Sequence, residues 1–309
     1  MTGLGYAMGR DAPVPDPTAP LTASGNLGRR AAISRLITVV ASASALFAVA
    51  LLVQVAYTVV KNGASAVNFA FLTQNSSGLA GGGIANALLG TIVIVAFAAL
   101  IALPVGVLTG LYLTEFAGPR SRLGNALKLV LDLLQGLPTI IVGIVVYGLL
   151  VASEHLETGF AGSIALAIVM LPMIARASQE VLALVPGSLR EAADALGVER
   201  WRTVLGVIMP AAAGGIATGA ILAIARASGE TAPLLLVDGL FNPTQTQLNI
   251  FGHGVPSIPM FIYTTYDLPA PSAIARAWGA ALVLLAFILV ANVGARVLLA
   301  RSRAKMGAR

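Results

Sequence analysis

Along this chain the polar and apolar positions separate into long blocks, not into the alternation of a half-buried strand or the stripe of a soluble helix. Residues 36–60 hold no charge and are framed by Arg29, Arg30 and Arg35 before them and Lys61 after them. At about 1.5 Å per residue such a helix outspans a hydrocarbon core of about 30 Å, which predicts a first transmembrane helix within 33–61. Residues 62–83 carry Gly, Ser and Asn and read as an outer loop with a short interfacial helix. Residues 84–113 predict a second span, kinked at Pro104, with Gly106 and Gly110 on a face for close helix contact. A third span is expected over 126–153, with Asp132 near its inner end, in reach of water or of a neighbouring Arg, and with Gly136 and Pro138 interrupting it. A fourth covers 159–174 and continues as a helix past Arg176. A fifth covers 204–225, with Gly215 and Gly219 as a second small-residue face, and a sixth covers 277–299. Between these last two, residues 231–272 form a long outer segment, in part re-entrant because 234–237 and 260–262 are apolar. The fold class is all-α: a polytopic membrane protein of six transmembrane helices, five of them in a domain over 84–299.

Composition strengthens that reading. Over 309 residues the chain is 57% hydrophobic and 10% charged, with a mean hydropathy of +0.89, where a soluble domain is about a quarter charged. The net charge of +6 belongs to loops flanking membrane spans, and no nucleic-acid partner is expected. On this topology 16 of the 19 basic residues fall on one side, all except Lys61, Arg226 and Arg276. That bias places both termini and the loop 186–206 in the cytoplasm of a cell bounded by a bacterial inner membrane. Residues 1–32, rich in Pro, Gly, Ala and Thr, read as a disordered cytoplasmic tail and not as a signal peptide, and 300–309 as a basic cytoplasmic tail. There is no Cys, and His155 and His253 are solvated loop residues, so no metal site is expected.

The most polar run of the second half is residues 186–210. Pro186 and Gly187 break the preceding helix, and Ser188 with Glu191 reads as a capping box. Leu189, Ala192, Ala193 and Leu196 make an apolar stripe, Gly197 stops the helix, and a second short helix near 199–206 carries Trp201. Such an elbow is either a solvated interhelical loop or a docking element for a soluble partner. Its Glu191, Ala192, Ala193, Gly197 and Pro210 stand at the spacing of the coupling (EAA) loop of ABC-importer permeases, with Val207 and Met209 in place of Ile and Leu. That resemblance implies a type I ABC importer permease (MetI-like) core whose elbow docks an ATPase. No Gly-rich loop with Lys and a hydroxyl exists around Lys61, Lys128 or Lys305. The chain therefore binds no cofactor, and ATP and Mg belong to a partner ATPase.

Arg226 and Glu230 stand at the end of the fifth span, in ARASGETAPLLL. Ionisable residues at membrane depth are costly and tend to mark pathways; the competing reading is a self-neutralising ion pair. The stretch resembles the PstA-type permease family of phosphate importers, whereas in the sister PstC type Gly-Glu-Thr is not followed by Ala-Pro-Leu. The resemblance extends to Gly81-Gly82-Gly83-Ile84, to Leu137-Pro138-Thr139-Ile140-Ile141-Val142-Gly143, to Val255-Pro256-Ser257-Ile258-Pro259 and to Trp278-Gly279-Ala280. It implies a translocation pathway touching Arg226, Glu230, Thr231 and Pro233. It also implies partnership with a PstC-like permease, a PstB-like ATPase dimer, a PstS-like binding protein and inorganic phosphate. Three rivals remain open. A secondary transporter would leave the elbow without a task, an intramembrane enzyme lacks a catalytic constellation, and an ABC permease for molybdate or sulfate would share the elbow but not the GETAPL stretch.

Overall fold

The apolar blocks fold as helices because a membrane interior offers no other partner for backbone N–H and C=O groups. The computed structural model describes residues 27–78, 81–118, 120–153, 156–238 and 249–307. His155, the first 26 residues of the expected tail, residues 239–248 of the outer segment and the last two residues lie outside the described ones. The chain divides into two units, Met1–Tyr57 and Thr58–Arg309.

In the first unit the described residues belong to one helix, α1 (Leu27–Gly63), which runs on into the second unit. Leu46, Phe47 and Leu52 are all exposed, as expected of a helix whose apolar residues run all round it and meet lipid. The helix begins at Leu27, so the last six residues of the expected tail, 27–32, are helical. Arginines at 29, 30 and 35 are good helix formers and let the helix continue beyond its apolar block.

The second unit holds α2 (Phe69–Thr73), α3 (Ala85–Leu111), α4 (Arg122–Gly136), α5 (Thr139–Val146) and α6 (Gly159–Ala183). Then follow α7 (Gly187–Ala195), α8 (Arg200–Thr203), α9 (Met209–Ala227), α10 (Ala232–Val237), α11 (Ile258–Tyr266) and α12 (Pro271–Gly307). Wider π turns extend α3 through Phe116, α5 through Val151 and α8 into α9 through Val204–Ile208. Among the described residues five helices are long and apolar enough to cross a membrane, and the α4–α5 pair makes a sixth span if its halves are taken together.

Close packing follows the small residues. A Cβ on Gly106 would fall 2.8 Å from Ile174 Cγ2, and one on Gly110 2.7 Å from the Ala175 carbonyl, so α3 and α6 meet backbone to backbone. Gly215 and Gly219 bring α9 equally close to Val181 and Ala177 of α6. Around these contacts Ile94, Ala98, Leu166, Met170, Ile174 and Ala223 form the main core.

Several expectations need correction. The interruption of the third span at Gly136 and Pro138 is as expected, but it is a sharp bend: α4 and α5 meet at 105°, because Leu137 is extended before Pro138 and Pro138 itself becomes the N-cap of α5. Within the outer segment the stretch 255–261 is core and not loop, a longer inward stretch than the expected 260–262. Val255, Pro256, Ser257, Ile258, Met260 and Phe261 are buried, the Pro256 carbonyl lies against Gly90 of α3, and the Ile258 N–H donates to Thr91 Oγ1 at 2.8 Å. The expected basic tail continues α12 as helix through Gly307. Arg276, one of the three cations off the basic side, is buried and donates to the Gly78 carbonyl at 2.8 Å and to that of Gly81. It thereby holds a loop whose Gly78, Gly81 and Gly82 all take positive φ.

Candidate functional site

The fifth span ends where its helix does. Ser228 caps α9, its N–H returning to the Ile224 carbonyl at 3.0 Å, and the chain restarts as α10 after Thr231. Glu230 thus sits in the gap between two helices, outside the i, i+4 geometry expected for it. That is why Arg226 Nε lies as far as 3.8 Å from Glu230 Oε1. Glu230 is 16% exposed in its side chain, while Arg226 is 63% exposed. Glu230 has a second partner from another element: Thr139 Oγ1 donates to its Oε2 at 3.3 Å. Thr139 opens α5 directly after the Pro138 break, so two helix discontinuities face each other here. Pro233 is buried, and it packs against Gly143, where an added Cβ would fall 2.9 Å from Pro233 Cα. Thr231 is the N-cap of α10 but makes no side-chain cap bond.

Beside the break lies a cavity of about 300 Å³ that Arg226 lines together with Gln135, Thr139, Pro172 and Met173. An exposed guanidinium, an amide and a hydroxyl on an otherwise apolar wall are donors of the kind that suit an oxyanion. Gln135 escaped the sequence reading. It lies in the last turn of α4, just before the Pro138 bend, and lines the same cavity as Arg226.

At the elbow the structure keeps the helix and moves its start. The N-cap of α7 is Pro186 without a side-chain cap bond, and Ser188 already lies inside the first turn. The capping box is therefore absent: the helix starts at Gly187, two residues earlier than a box capped by Ser188 requires. Gly197 ends it as expected, with φ +67, the Val198 N–H on the Ala193 carbonyl at 3.1 Å and the Gly197 N–H on that of Asp194 at 3.0 Å. The second helix is no separate element; Arg200–Ala227 runs on as one span. Pro210 is accommodated because the π turn before it has already shifted the bonding pattern, the Met209 N–H reaching the Val204 carbonyl.

Of the elbow residues, only Ala193 is buried in the isolated chain; Glu191, Ala192 and Gly197 are exposed. Leu196 is 82% and Trp201 54% exposed. Trp201 donates from Nε1 to Glu199 Oε2 at 2.8 Å and carries the Arg202 guanidinium 5.2 Å from its ring centre. Asp132 pairs with Arg176, one of the outcomes expected for it. His253 is exposed, and its carbonyl accepts from the Gly159 N–H. Among the described residues no group of His, Asp and Glu is placed to hold a metal.

A buried acid near the fifth span went unnoticed in the sequence. Asp238, the C-cap of α10 between the fifth and sixth spans, is 1% exposed and accepts the Val255 N–H at 2.8 Å. Burial, and to a lesser degree the charge of Glu157, raise its pKa to about 7 against the opposing pull of that hydrogen bond.

Residues 102–304 match the family described as binding-protein-dependent transport system inner membrane component. Among curated relatives, the phosphate transport system permease protein PstA of Yersinia pestis is 35% identical over 272 residues, covering 87% of this chain and 91% of its own. PstA 1 of Mycobacterium tuberculosis is 38% identical over 218 residues, 70% of each chain. Among solved structures, an inward-facing MetNI methionine ABC transporter superposes with a TM-score of 0.55 at 20% identity, over 71% of this chain and 94% of its own. A bacterial alginate ABC transporter superposes with a TM-score of 0.56 at 16% identity, over 89% of this chain and 99% of its own.

Proposed function

This chain belongs to the family of binding-protein-dependent transport system inner membrane components, and from that premise we propose that it is a permease subunit of an ATP-driven importer of inorganic phosphate. The observation that carries the proposal is the arrangement of Arg226, Glu230 and Thr139 at two facing helix breaks beside a cavity. Phosphate carries one to two negative charges, and a guanidinium offers it a planar fork of donors. Glu230 competes for that guanidinium, so the anion is released once the path opens. Arg226 is exposed on the chain's own surface, which suits a pathway shared with a second permease.

The chain hydrolyses no ATP itself. The elbow Glu191–Gly197 with Trp201 receives force from a PstB-like ATPase dimer, a PstC-like permease supplies the other half of the path, and a PstS-like protein delivers phosphate. Both termini and the elbow face the cytoplasm, with the basic loops. The test is uptake of radiolabelled phosphate at low external concentration in cells lacking this chain, with and without its gene restored. Restored uptake, competed by phosphate and not by molybdate or sulfate, supports the proposal. Competition by the other oxyanions makes it an importer of those instead, and a complex that purifies without an ATPase overturns it.

A further inference from the structure

The π turn Tyr112–Phe116 ends the α3 span and carries Glu115. Its side chain is 2% exposed. Leu111, Leu113 and Glu115 are all buried, a spacing of two that a plain α-helix would spread over opposite faces. A carboxylate so enclosed persists only when paired and hydrogen-bonded. Its partner is Arg190 of α7, whose Nη2 donates to Oε1 at 2.7 Å and whose Nε lies 3.2 and 3.3 Å from the two carboxylate oxygens. Arg200, at the start of α8, brings Nη2 to 3.6 Å of Oε2.

Arg190 has further donors, and they go to α6. Nη1 donates to the Val185 carbonyl at 2.7 Å and Nη2 to that of Leu182 at 3.0 Å. Leu182 lies in the last turn of α6 and Val185 two residues past its end, where backbone acceptors lack i+4 helical partners. One guanidinium therefore ties the end of α3, the end of α6 and the elbow helix together. Within α7 itself only Ala193 is buried. Above the tie, α3 and α6 are joined at Gly106 and Gly110, so they are suited to move as one body.

We infer that Glu115 is the positioning residue that fastens the elbow, through Arg190, to the α3–α6 pair, so that motion delivered to α7 passes into the membrane helices. Without the buried carboxylate, Arg190 keeps its carbonyl acceptors but loses its link to α3. The elbow then tilts about the end of α6 while the span stays behind. The inference rests on the permease reading above, and its failure is distinguishable from failure of that reading. A chain that carries no phosphate fails already as wild type, whereas this inference is read from the difference between variants and from a distance that needs only ATP and the ATPase.

The experiment uses the complete importer in proteoliposomes with its binding protein. Glu115→Gln keeps the size and removes the charge; Arg190→Lys keeps a charge and removes the fork. Both are expected to assemble with their ATPase and to hydrolyse ATP, while phosphate moved per ATP falls about tenfold. Because the native chain has no Cys, Phe116→Cys and Ser188→Cys take spin labels specifically. Their separation should be narrow and unchanged between nucleotide-free and ATP-trapped wild type, and should broaden in Glu115→Gln. Three outcomes overturn the inference. One is a label distance that shifts with ATP in the wild type, which needs no variant. Another is a wild-type phosphate-to-ATP ratio in Glu115→Gln. The third is a smaller yield of complexes that each keep that ratio, which would make Glu115 a stability residue only.

Discussion

Thr139 and Glu230, 91 positions apart in sequence, meet through a 3.3 Å hydrogen bond from the hydroxyl of one to Oε2 of the other. The bond fastens the start of α5 to the gap between α9 and α10, and leaves Arg226 with only a 3.8 Å claim on the same carboxylate. Arg226→Gln should assemble in normal amounts, bind its ATPase and lose at least about tenfold in phosphate uptake. Thr139→Val should cost about tenfold or more, in keeping with about 1.5–3 kcal/mol for a hydrogen bond to a charged group. If the pair serves only the fold, Arg226→Gln instead lowers the amount of complex, and Arg226→Glu with Glu230→Arg restores transport. Uptake per assembled complex separates the outcomes.

Gly197 holds the elbow's stop in the left-handed region at φ +67, with nothing within 4 Å of a would-be Cβ. Gly197→Ala should therefore cost only the conformational term, about 1–2 kcal/mol. Gly197→Pro should cost more, because it removes the N–H donated to Asp194 and demands negative φ. Both should speed amide exchange at Val198, and the Pro variant should uncouple ATP hydrolysis from uptake. Wild-type exchange and coupling in the Pro variant would exclude the elbow as the point where force enters.

Gly143 is where α10 rests on α5. An added Cβ would stand 2.9 Å from Pro233 Cα and 3.1 Å from its carbonyl oxygen, both of them backbone atoms that cannot swing aside. Gly143→Ala should lower stability by about 1–3 kcal/mol. Gly148→Ala, with nothing within 4 Å, should be close to neutral. Thermal unfolding of the purified complex in detergent compares the two, and equal midpoints would contradict the packing.

Asp238 sets a pH dependence. Its carboxyl titrates near 7 when folded against 3.8 ordinarily, so between those values the folded protein holds a proton that the unfolded chain has released. Stability from this group is fully present at the acidic end, falls as pH rises toward 7, and is flat above. Besides Glu157, the nearby segment carries His253 as a titratable group. Asp238→Asn keeps an acceptor for the Val255 N–H and should remove the slope. Unfolding midpoints at pH 5 and pH 8 should differ in the wild type and coincide in the variant.

Topology has its own measurement. Asp267→Cys, exposed after α11, should react with an impermeant maleimide from outside the inner membrane. Arg122→Cys, exposed at the start of α4 among the basic loops, should react only after permeabilisation. The reverse pattern would invert the assignment of the termini.

The spans were legible because burial in lipid needs only length and the absence of charge, both of which are local. Gly106, Gly110, Gly215 and Gly219 were legible for the same reason, a close approach being recorded as missing side chains. Gln135 and Glu115 were not. Each lies far from its partner along the chain, and no periodicity links Glu115 to Arg190 across 75 positions.

By itself, then, the sequence determined the helical class, the order of the spans, the charge bias, the elbow's glycine stop and the placing of Arg226 and Glu230 near a span's end. These follow from hydropathy and from the conformations single residues permit. The tertiary structure alone decided that the break expected at Gly136 and Pro138 is a 105° bend, that core extends over all of 255–261, and that Ser188 caps nothing. It also gave Glu230 to Thr139 and Glu115 to Arg190. Those outcomes depend on which of several polar partners lies nearest once helices have packed. A buried charge takes whatever donor the packing brings within about 3 Å, and the chain's linear order holds no record of that distance.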